Sequence, residues 1–173
     1  GSDEIIEIIP RIYLNQSDVS LCVVTTFSRM ISSPKKVGCE VKLFSLTKDH
    51  GFKLDEESFQ DLVKLVKSNR PKTVWICTPN NPTGVNVELS KIERLLKEFP
   101  ETFFIINEVY QEYFSLDFQD SSASLVNENA NLLVIRSFSK AFGLAGMRVG
   151  YVVGSKDRIY EIEKLRTMYN LST

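Results

Sequence analysis

The sequence is poor in the residues that mark several classes of protein. Its 173 residues include one histidine, His50, and three cysteines without a CxxC spacing, so no metal centre is predicted. Basic and acidic residues nearly balance, at 21 and 22, so neither nucleic acid nor an anionic membrane is expected as a partner. No apolar run approaches the roughly 18 residues of a membrane span. With six prolines and eight glycines, the composition also excludes collagen and low-complexity disorder.

What remains is the composition of a soluble globular protein. Hydrophobic residues make up 43% and charged residues 25% of a length close to that of one domain. Cys22, Cys39 and Cys77 each lie among apolar neighbours, which predicts buried, reduced thiols rather than disulfides. No signal peptide is visible. We therefore expect a reducing, cytoplasmic location.

Apolar runs rich in β-branched residues alternate with helical patterns along the chain. The runs predict strands buried on both faces, at residues 21–25, 41–46, 73–77, 103–106, 132–136 and 149–153. Apolar residues at helical spacing predict helices at residues 4–14, 55–68, 88–99 and 156–170, the first interrupted by Pro10 and the last including Tyr169. This alternation predicts an α/β fold with a mostly parallel sheet flanked by helices. Ligands bind such sheets at the carboxyl ends of the strands.

Two of the predicted strand ends lead into loops with polar side chains. Residues 78–84 read Thr-Pro-Asn-Asn-Pro-Thr-Gly, in which two prolines stiffen a loop able to present an asparagine amide. A plain Asn-Pro turn is the alternative. Asn107 and Glu108 follow the strand at 103–106, with Tyr110 shortly after. The alternative there is a polar strand end beside a packing aromatic.

The third loop, residues 137–148, combines hydroxyl and cationic side chains with small and apolar residues. Ser137 and Ser139 lie just past a strand and can donate to a phosphate, which Arg148 can clamp bidentately. Lys140 has apolar neighbours, and desolvation there would favour its neutral, nucleophilic amine. The alternative is a small-residue loop with a solvated lysine.

In their order and spacing, these loops resemble those of the pyridoxal-phosphate (PLP) aminotransferases of class I/II, fold type I. Within that family the resemblance is greatest to the histidinol-phosphate aminotransferases. The segments that carry it are residues 1–4, 26–28, 80–84, 108–110 and 137–148, and it extends over essentially the whole chain. It implies the large domain of a PLP transferase, an α/β/α sandwich around a mostly parallel mixed sheet, with pyridoxal 5′-phosphate as cofactor.

The resemblance also implies a role for residues of the third loop and the first helix. Lys140 matches the catalytic lysine that condenses with the aldehyde of PLP and later shuttles the α-proton of the substrate. Ser2 and Asp3 match a helix start whose backbone N–H groups cradle the phosphate. An alternative origin of Gly1 and Ser2 is a pair left by tag cleavage. The remaining phosphate-binding positions are matched by Ser137, Ser139 and Arg148.

Four further residues match positions around the pyridine ring of the cofactor. Phe27 matches the aromatic that stacks on the ring, with ordinary core packing as the alternative. Asn81 and Tyr110 match the pair that binds the phenolic oxygen. Asn107 stands where the family normally has an aspartate paired with the ring nitrogen, and a neutral amide cannot form that ion pair. Slow transamination is expected, or reaction steps that need less delocalisation of a carbanion. Three explanations of the asparagine remain open: a mutated or degenerate enzyme, a PLP enzyme with altered chemistry, and a sequence error.

Residues 1–173 are expected to form an incomplete PLP-binding large domain. The resemblance implies that an N-terminal segment is missing, together with the C-terminal small domain that supplies the arginine for the substrate carboxylate. The chain alone is then expected to be inactive. The leading hypothesis is an aminotransferase of histidine biosynthesis. It would be a homodimer that transfers an amino group between an amino acid and a 2-oxo acid or phosphorylated ketone. A decarboxylase or lyase of the same fold, and a non-catalytic PLP-fold fragment, remain as alternatives.

Overall fold

The computed structural model describes residues 1–168, 170 and 171. Its six strands are Val19–Val24 (β1), Glu40–Ser45 (β2), Thr73–Cys77 (β3), Phe103–Asn107 (β4), Leu132–Ser137 (β5) and Gly150–Gly154 (β6). Its helices are Ser2–Tyr13 (α1), Arg29–Lys36 (α2), Glu56–Asn69 (α3), Leu89–Glu98 (α4), Gln111–Phe114 (α5) and Lys156–Glu163 (α6). Short 3₁₀ turns complete the connections.

The strands form one sheet in the order β2-β1-β3-β4-β5-β6. The first five strands pair in parallel, and only β6 runs antiparallel, against β5. The predicted fold class is confirmed: the sheet is mixed, mostly parallel and flanked by helices. The carboxyl ends of β1, β3, β4 and β5 consequently meet at one edge of the sheet.

Both faces of the sheet are covered, which explains why its strands read as continuous apolar runs. Alternate residues of a strand point to opposite faces. In β3, Val74 and Ile76 belong to the apolar cluster under α3 and α4, whereas Trp75 and Cys77 belong to the cluster under α1 and α2. Trp75 has no exposed surface. Both clusters are therefore closed by amphipathic helices.

Four helices differ from the sequence prediction, including the four-residue α5, which was not predicted. Helix α1 continues through Pro10, because the buried residues Ile9 and Tyr13 hold it against the core on either side of the proline. Helix α2 was not predicted, since it has only eight residues, among them two serines and Pro34. Helix α6 ends at Glu163 rather than at residue 170, because the next apolar residue, Leu165, is half exposed. The predicted helical residue Tyr169 lies outside the described residues.

Two kinds of feature are absent from the described residues. No helix in this part of the chain is long and apolar enough to cross a membrane. Across the same residues, no group of three or more His, Cys, Asp or Glu side chains is placed to hold a metal ion.

Candidate active site

The ten predicted site residues converge on one cavity of about 160 Å³ at the carboxyl edge of the sheet. They come from the start of α1, the loops after β1 and β3, the end of β4 and the loop after it, and the end of β5 with the segment that leads to β6. All ten line the cavity: Ser2, Asp3, Phe27, Asn81, Asn107, Tyr110, Ser137, Ser139, Lys140 and Arg148. We call Asn81, Asn107 and Tyr110 the amide cluster, and Ser137, Ser139 and Arg148 the hydroxyl cluster.

Asn107, the last residue of β4, is the most deeply buried member of the amide cluster, at 1% exposure. Its Nδ2 lies 3.5 Å from the sulfur of Met30, and its Oδ1 accepts from the backbone N–H of Val109 at 3.4 Å. Met30 is held by α2, so the unpredicted helix orients a cavity residue. An aspartate would still accept from the Val109 N–H, but it would lose the N–H that faces the Met30 sulfur.

Asn81 and Tyr110 meet across the cavity as the sequence suggested. The Asn81 amide donates to the Tyr110 hydroxyl at 3.3 Å. Asn80, which sequence reasoning left unassigned, anchors this loop to the end of β1: its Nδ2 donates to the Thr25 carbonyl at 2.7 Å, and its Oδ1 accepts from Thr26 at 2.8 Å. These two hydrogen bonds fix the loop after β3 to the residues that follow β1. The backbone that carries Asn81 is therefore held in place.

Lys140 lies beside this pair, with its Nζ 5.4 Å from the centroid of the Tyr110 ring. We expected apolar neighbours to shield the Lys140 amine from water, and this expectation was wrong. Lys140 and the following residues 141–148 are exposed, and Phe142 and Met147 are each 50% exposed. Glycines and a single 3₁₀ turn carry this loop over the surface instead of packing it into the core. The amine therefore faces both the cavity and the solvent.

The hydroxyl cluster follows β5. Ser137 is buried, and its Oγ accepts from the backbone N–H of Ser139 at 3.1 Å. Arg148 adopts a left-handed backbone conformation, with φ 54°, and its guanidinium lies 3.5 Å from the Asp3 carboxylate. The same guanidinium donates to the Ala145 carbonyl at 2.9 Å. These contacts hold Arg148 at the rim of the cavity and leave other N–H groups of its guanidinium able to bind a ligand.

The start of α1 is brought against the hydroxyl cluster by a glycine. A Cβ on Gly150 would lie 2.6 Å from the backbone nitrogen of Ser2 and 3.1 Å from the Arg136 carbonyl. Only glycine allows this approach of the helix to β6. The first-turn N–H groups of a helix have no partner within it, so those of Ser2 and Asp3 can donate to an anion.

Phe27 and Cys77 form an apolar part of the cavity wall. Phe27 is partly buried and packs against the α1 cluster, so the core-packing alternative and a place in the cavity both hold. Burial raises the pKa of the Cys77 thiol to about 11, so it is not a thiolate near neutral pH. Burial likewise raises the pKa of Cys22 to about 12. A cysteine nucleophile is therefore not supported at this site.

The donor set suits a small aromatic ligand that carries an anion and an electrophile. Amides, a hydroxyl and an aromatic ring surround one part of the cavity, and a guanidinium, two serines and a helix start surround another. A primary amine lies between them. These groups fit the ring, the phosphate and the aldehyde of PLP.

Comparison with known proteins decides the family. The family described as aminotransferase class I and II matches residues 1–173. The chain belongs to this family. It is 37% identical over 174 residues to a histidinol-phosphate aminotransferase 2 of Bacillus cereus, covering all of this chain and 46% of that protein.

Solved structures of the family share the fold. Histidinol-phosphate aminotransferase from Clostridium acetobutylicum superposes with a TM-score of 0.85 at 25% identity, over 99% of this chain and 48% of that one. A decarboxylase from Sulfurospirillum multivorans superposes with a TM-score of 0.83 at 27% identity, again over 99% and 48%. The chain thus spans about half the length of the relatives it matches.

Proposed function

We propose that this chain carries the PLP-binding part of an aminotransferase that moves an amino group between an amino acid and a 2-oxo acid or phosphorylated ketone. The observation that carries the proposal is the convergence of the ten residues on one cavity, with Lys140 beside the Asn81–Tyr110 pair. Membership of the aminotransferase family supports it. Histidinol-phosphate aminotransferase relatives favour a histidinol-phosphate-like substrate.

In this proposal, different residues of the chain bind different parts of the cofactor. PLP, when bound, would supply an aldehyde that accepts the amino group and a ring that withdraws charge from the α-carbon of the substrate. Ser137, Ser139, Arg148 and the first-turn amides of Ser2 and Asp3 bind the phosphate. Asp3 contributes its N–H group, because its carboxylate would repel the anion and is paired with Arg148.

The remaining residues orient the ring and move the proton. Phe27 packs on the ring face, and Asn81 and Tyr110 donate to the phenolic oxygen, which favours its ionised form. Lys140 would hold the aldehyde through its amine, with loss of water, and its Nζ would otherwise take and return the α-proton of the substrate. Asn107 would offer an amide to the ring nitrogen in place of a carboxylate, which would make the ring a weaker electron sink and transamination slow.

The wider setting is also proposed. Residues 1–173 are taken as an incomplete large domain, because the chain covers 46% of its relative and offers no assigned arginine for the substrate carboxylate. Half-exposed Phe142, Leu144 and Met147 beside the site support a homodimer with the cavity near its interface. The buried free cysteines suit a reducing, cytoplasmic compartment and a place in amino-acid biosynthesis.

A decarboxylase or lyase is the second candidate. The decarboxylase from Sulfurospirillum multivorans shares the fold at 27% identity, and Asn107 weakens the case for ordinary transamination. Product analysis with amino-acid substrates distinguishes the two, since loss of carbon dioxide or sulfur gives different products. A non-catalytic PLP-binding protein would bind the cofactor and release no product from any amino acid.

The first test is the absorbance of the chain titrated with PLP, for the native sequence and for Lys140→Ala. We expect a band of covalently bound cofactor in the native chain and its loss in the variant, because only a primary amine can condense with the aldehyde. The matched control is Lys164→Ala, since Lys164 is also exposed and lies 4.4 Å from the ring centroid of Tyr160. An unchanged band in soluble Lys140→Ala would refute the assignment.

A further inference from the structure

A buried ionic cluster lies behind the cavity. Its centre is Glu108, which follows Asn107 and is 1% exposed. The Glu108 carboxylate accepts from the Ser121 hydroxyl at 2.5 Å and from the Ser122 backbone N–H at 2.7 Å. It also accepts from the Arg136 guanidinium at 3.3 Å. A charge this deep is costly unless it is paired, and here it is paired with a residue 28 positions away.

Arg136 connects three segments of the chain. Its Nη2 donates to Glu112 at 2.6 Å, and its Nη1 donates to the Ser121 hydroxyl at 3.1 Å as well as to Glu108. The side chain is 13% exposed. Burial works to lower the pKa of Arg136, but its hydrogen bond to Glu112 and the nearby carboxylates outweigh this and raise it. The guanidinium stays charged and acts as a fixed bridge.

Each member of the cluster is one or two residues from a cavity residue. Glu108 adjoins Asn107, Arg136 adjoins Ser137, and Glu112 lies two residues after Tyr110. Because neighbouring strand residues point to opposite faces, Asn107 and Ser137 line the cavity while Glu108 and Arg136 contact the 121–122 turn behind it. The ion pairs therefore join the segment that carries Asn107 and Tyr110 to the strand that leads into Ser137.

The cluster is not optimised for stability. In the described part of the chain, Arg136 Nε, Glu112 Oε2 and Ser122 Oγ are buried without hydrogen-bond partners. Buried ion pairs with unsatisfied atoms contribute less stability than apolar packing of the same volume. Such an arrangement does, however, fix the geometry of the chain at the carboxyl ends of β4 and β5.

We propose that Glu108, Arg136 and Glu112 are positioning residues, whose ion pairs set the spacing between the amide cluster and the hydroxyl cluster. The inference rests on the proposed function, in which one ligand contacts both clusters. A ligand that bridges the clusters depends on that spacing, whereas a ligand held by the amide cluster alone does not.

Two ligands separate these cases in the 173-residue chain. Pyridoxal 5′-phosphate reaches both clusters, and pyridoxal has the same ring and aldehyde without the phosphate. In Glu108→Gln we expect the dissociation constant of pyridoxal phosphate to rise about tenfold and that of pyridoxal to stay within about twofold. Glu56→Gln is the matched control, because Glu56 also pairs with an arginine of another element, Arg94, and is not part of the cavity. It should change neither constant.

The outcomes are distinct. If Glu108→Gln lowers the free energy of unfolding but leaves the ratio of the two constants unchanged, the cluster is merely structural and the inference is overturned. If the native chain binds both ligands equally, the phosphate assignment of the proposed function fails, and this inference fails with it. If Glu108→Gln does not fold, Ser121→Ala removes one hydroxyl from the cluster and should shift the ratio in the same direction. An unchanged ratio in Ser121→Ala would count equally against the inference.

Discussion

Among single residues, Asn107 bears most directly on the chemistry of the site. Its departure from the family pattern is readable in the sequence, but its surroundings are not. The contact of its amide with the Met30 sulfur depends on α2, which the sequence did not predict. Asn80 was missed for a similar reason: its bonds to Thr25 and Thr26 cross 54 or 55 positions of the chain. Contacts between distant residues need the strand order, which local patterns do not contain.

Replacing Asn107 by aspartate should reveal where the ring nitrogen binds. In the ligand-free chain the new carboxylate would be buried without a cation, so we expect Asn107→Asp to lower the free energy of unfolding by roughly 2 kcal/mol at neutral pH. Bound PLP would offer that carboxylate a protonated ring nitrogen and should stabilise the variant more than it stabilises the native chain. Urea unfolding with and without PLP measures both. Equal stabilisation of the two chains would place the nitrogen elsewhere.

Among the elements, the strands were predicted best. The predicted bounds of 73–77 match β3, and the other five strands differ by one or two residues at an end. Strands buried on both faces need apolar residues at every position, so their sequences are distinctive. Asp55 caps the start of α3, where its carboxylate accepts from the Ser58 N–H at 2.9 Å. Helix α2 was not predicted because serine and proline do not favour the interior of a helix. Its contact with α1 and β2 nevertheless buries Met30, Ser33 and Pro34.

The position of helix α1 depends on Gly150, and a substitution there tests its role. Gly150→Ala would place a Cβ against backbone atoms of Ser2 and Arg136, which cannot rotate away, so the start of α1 must shift. We expect roughly 1–3 kcal/mol of destabilisation and weaker binding of PLP, measured by urea unfolding and by titration. The control on the same strand is Gly154→Ala, whose Cβ meets the side chain of Leu133. If both variants bind PLP like the native chain, the N–H groups of α1 do not hold the phosphate.

In the whole molecule, the parallel sheet gathers loops that lie far apart in the sequence. The fold class followed from the alternation of strands and helices, and parallel strands place their carboxyl ends together. The set of ten site residues was implied by the family resemblance rather than by that pattern. The buried network of Glu108 and Arg136 did not follow, since it requires β4 and β5 to be neighbours and the 121–122 turn to fold behind them. The exposure of Lys140 was also not foreseen, because apolar neighbours in sequence do not ensure burial in a surface loop.

The most direct test of this account is the position at which PLP becomes attached. The chain is incubated with a stoichiometric amount of PLP, treated with borohydride, which fixes the cofactor on its amine, digested and mapped by peptide mass. The account predicts a single modified peptide containing Lys140, and no label when inorganic phosphate is present in large excess. Label spread over exposed lysines such as Lys72 and Lys164, unaffected by phosphate, would contradict it.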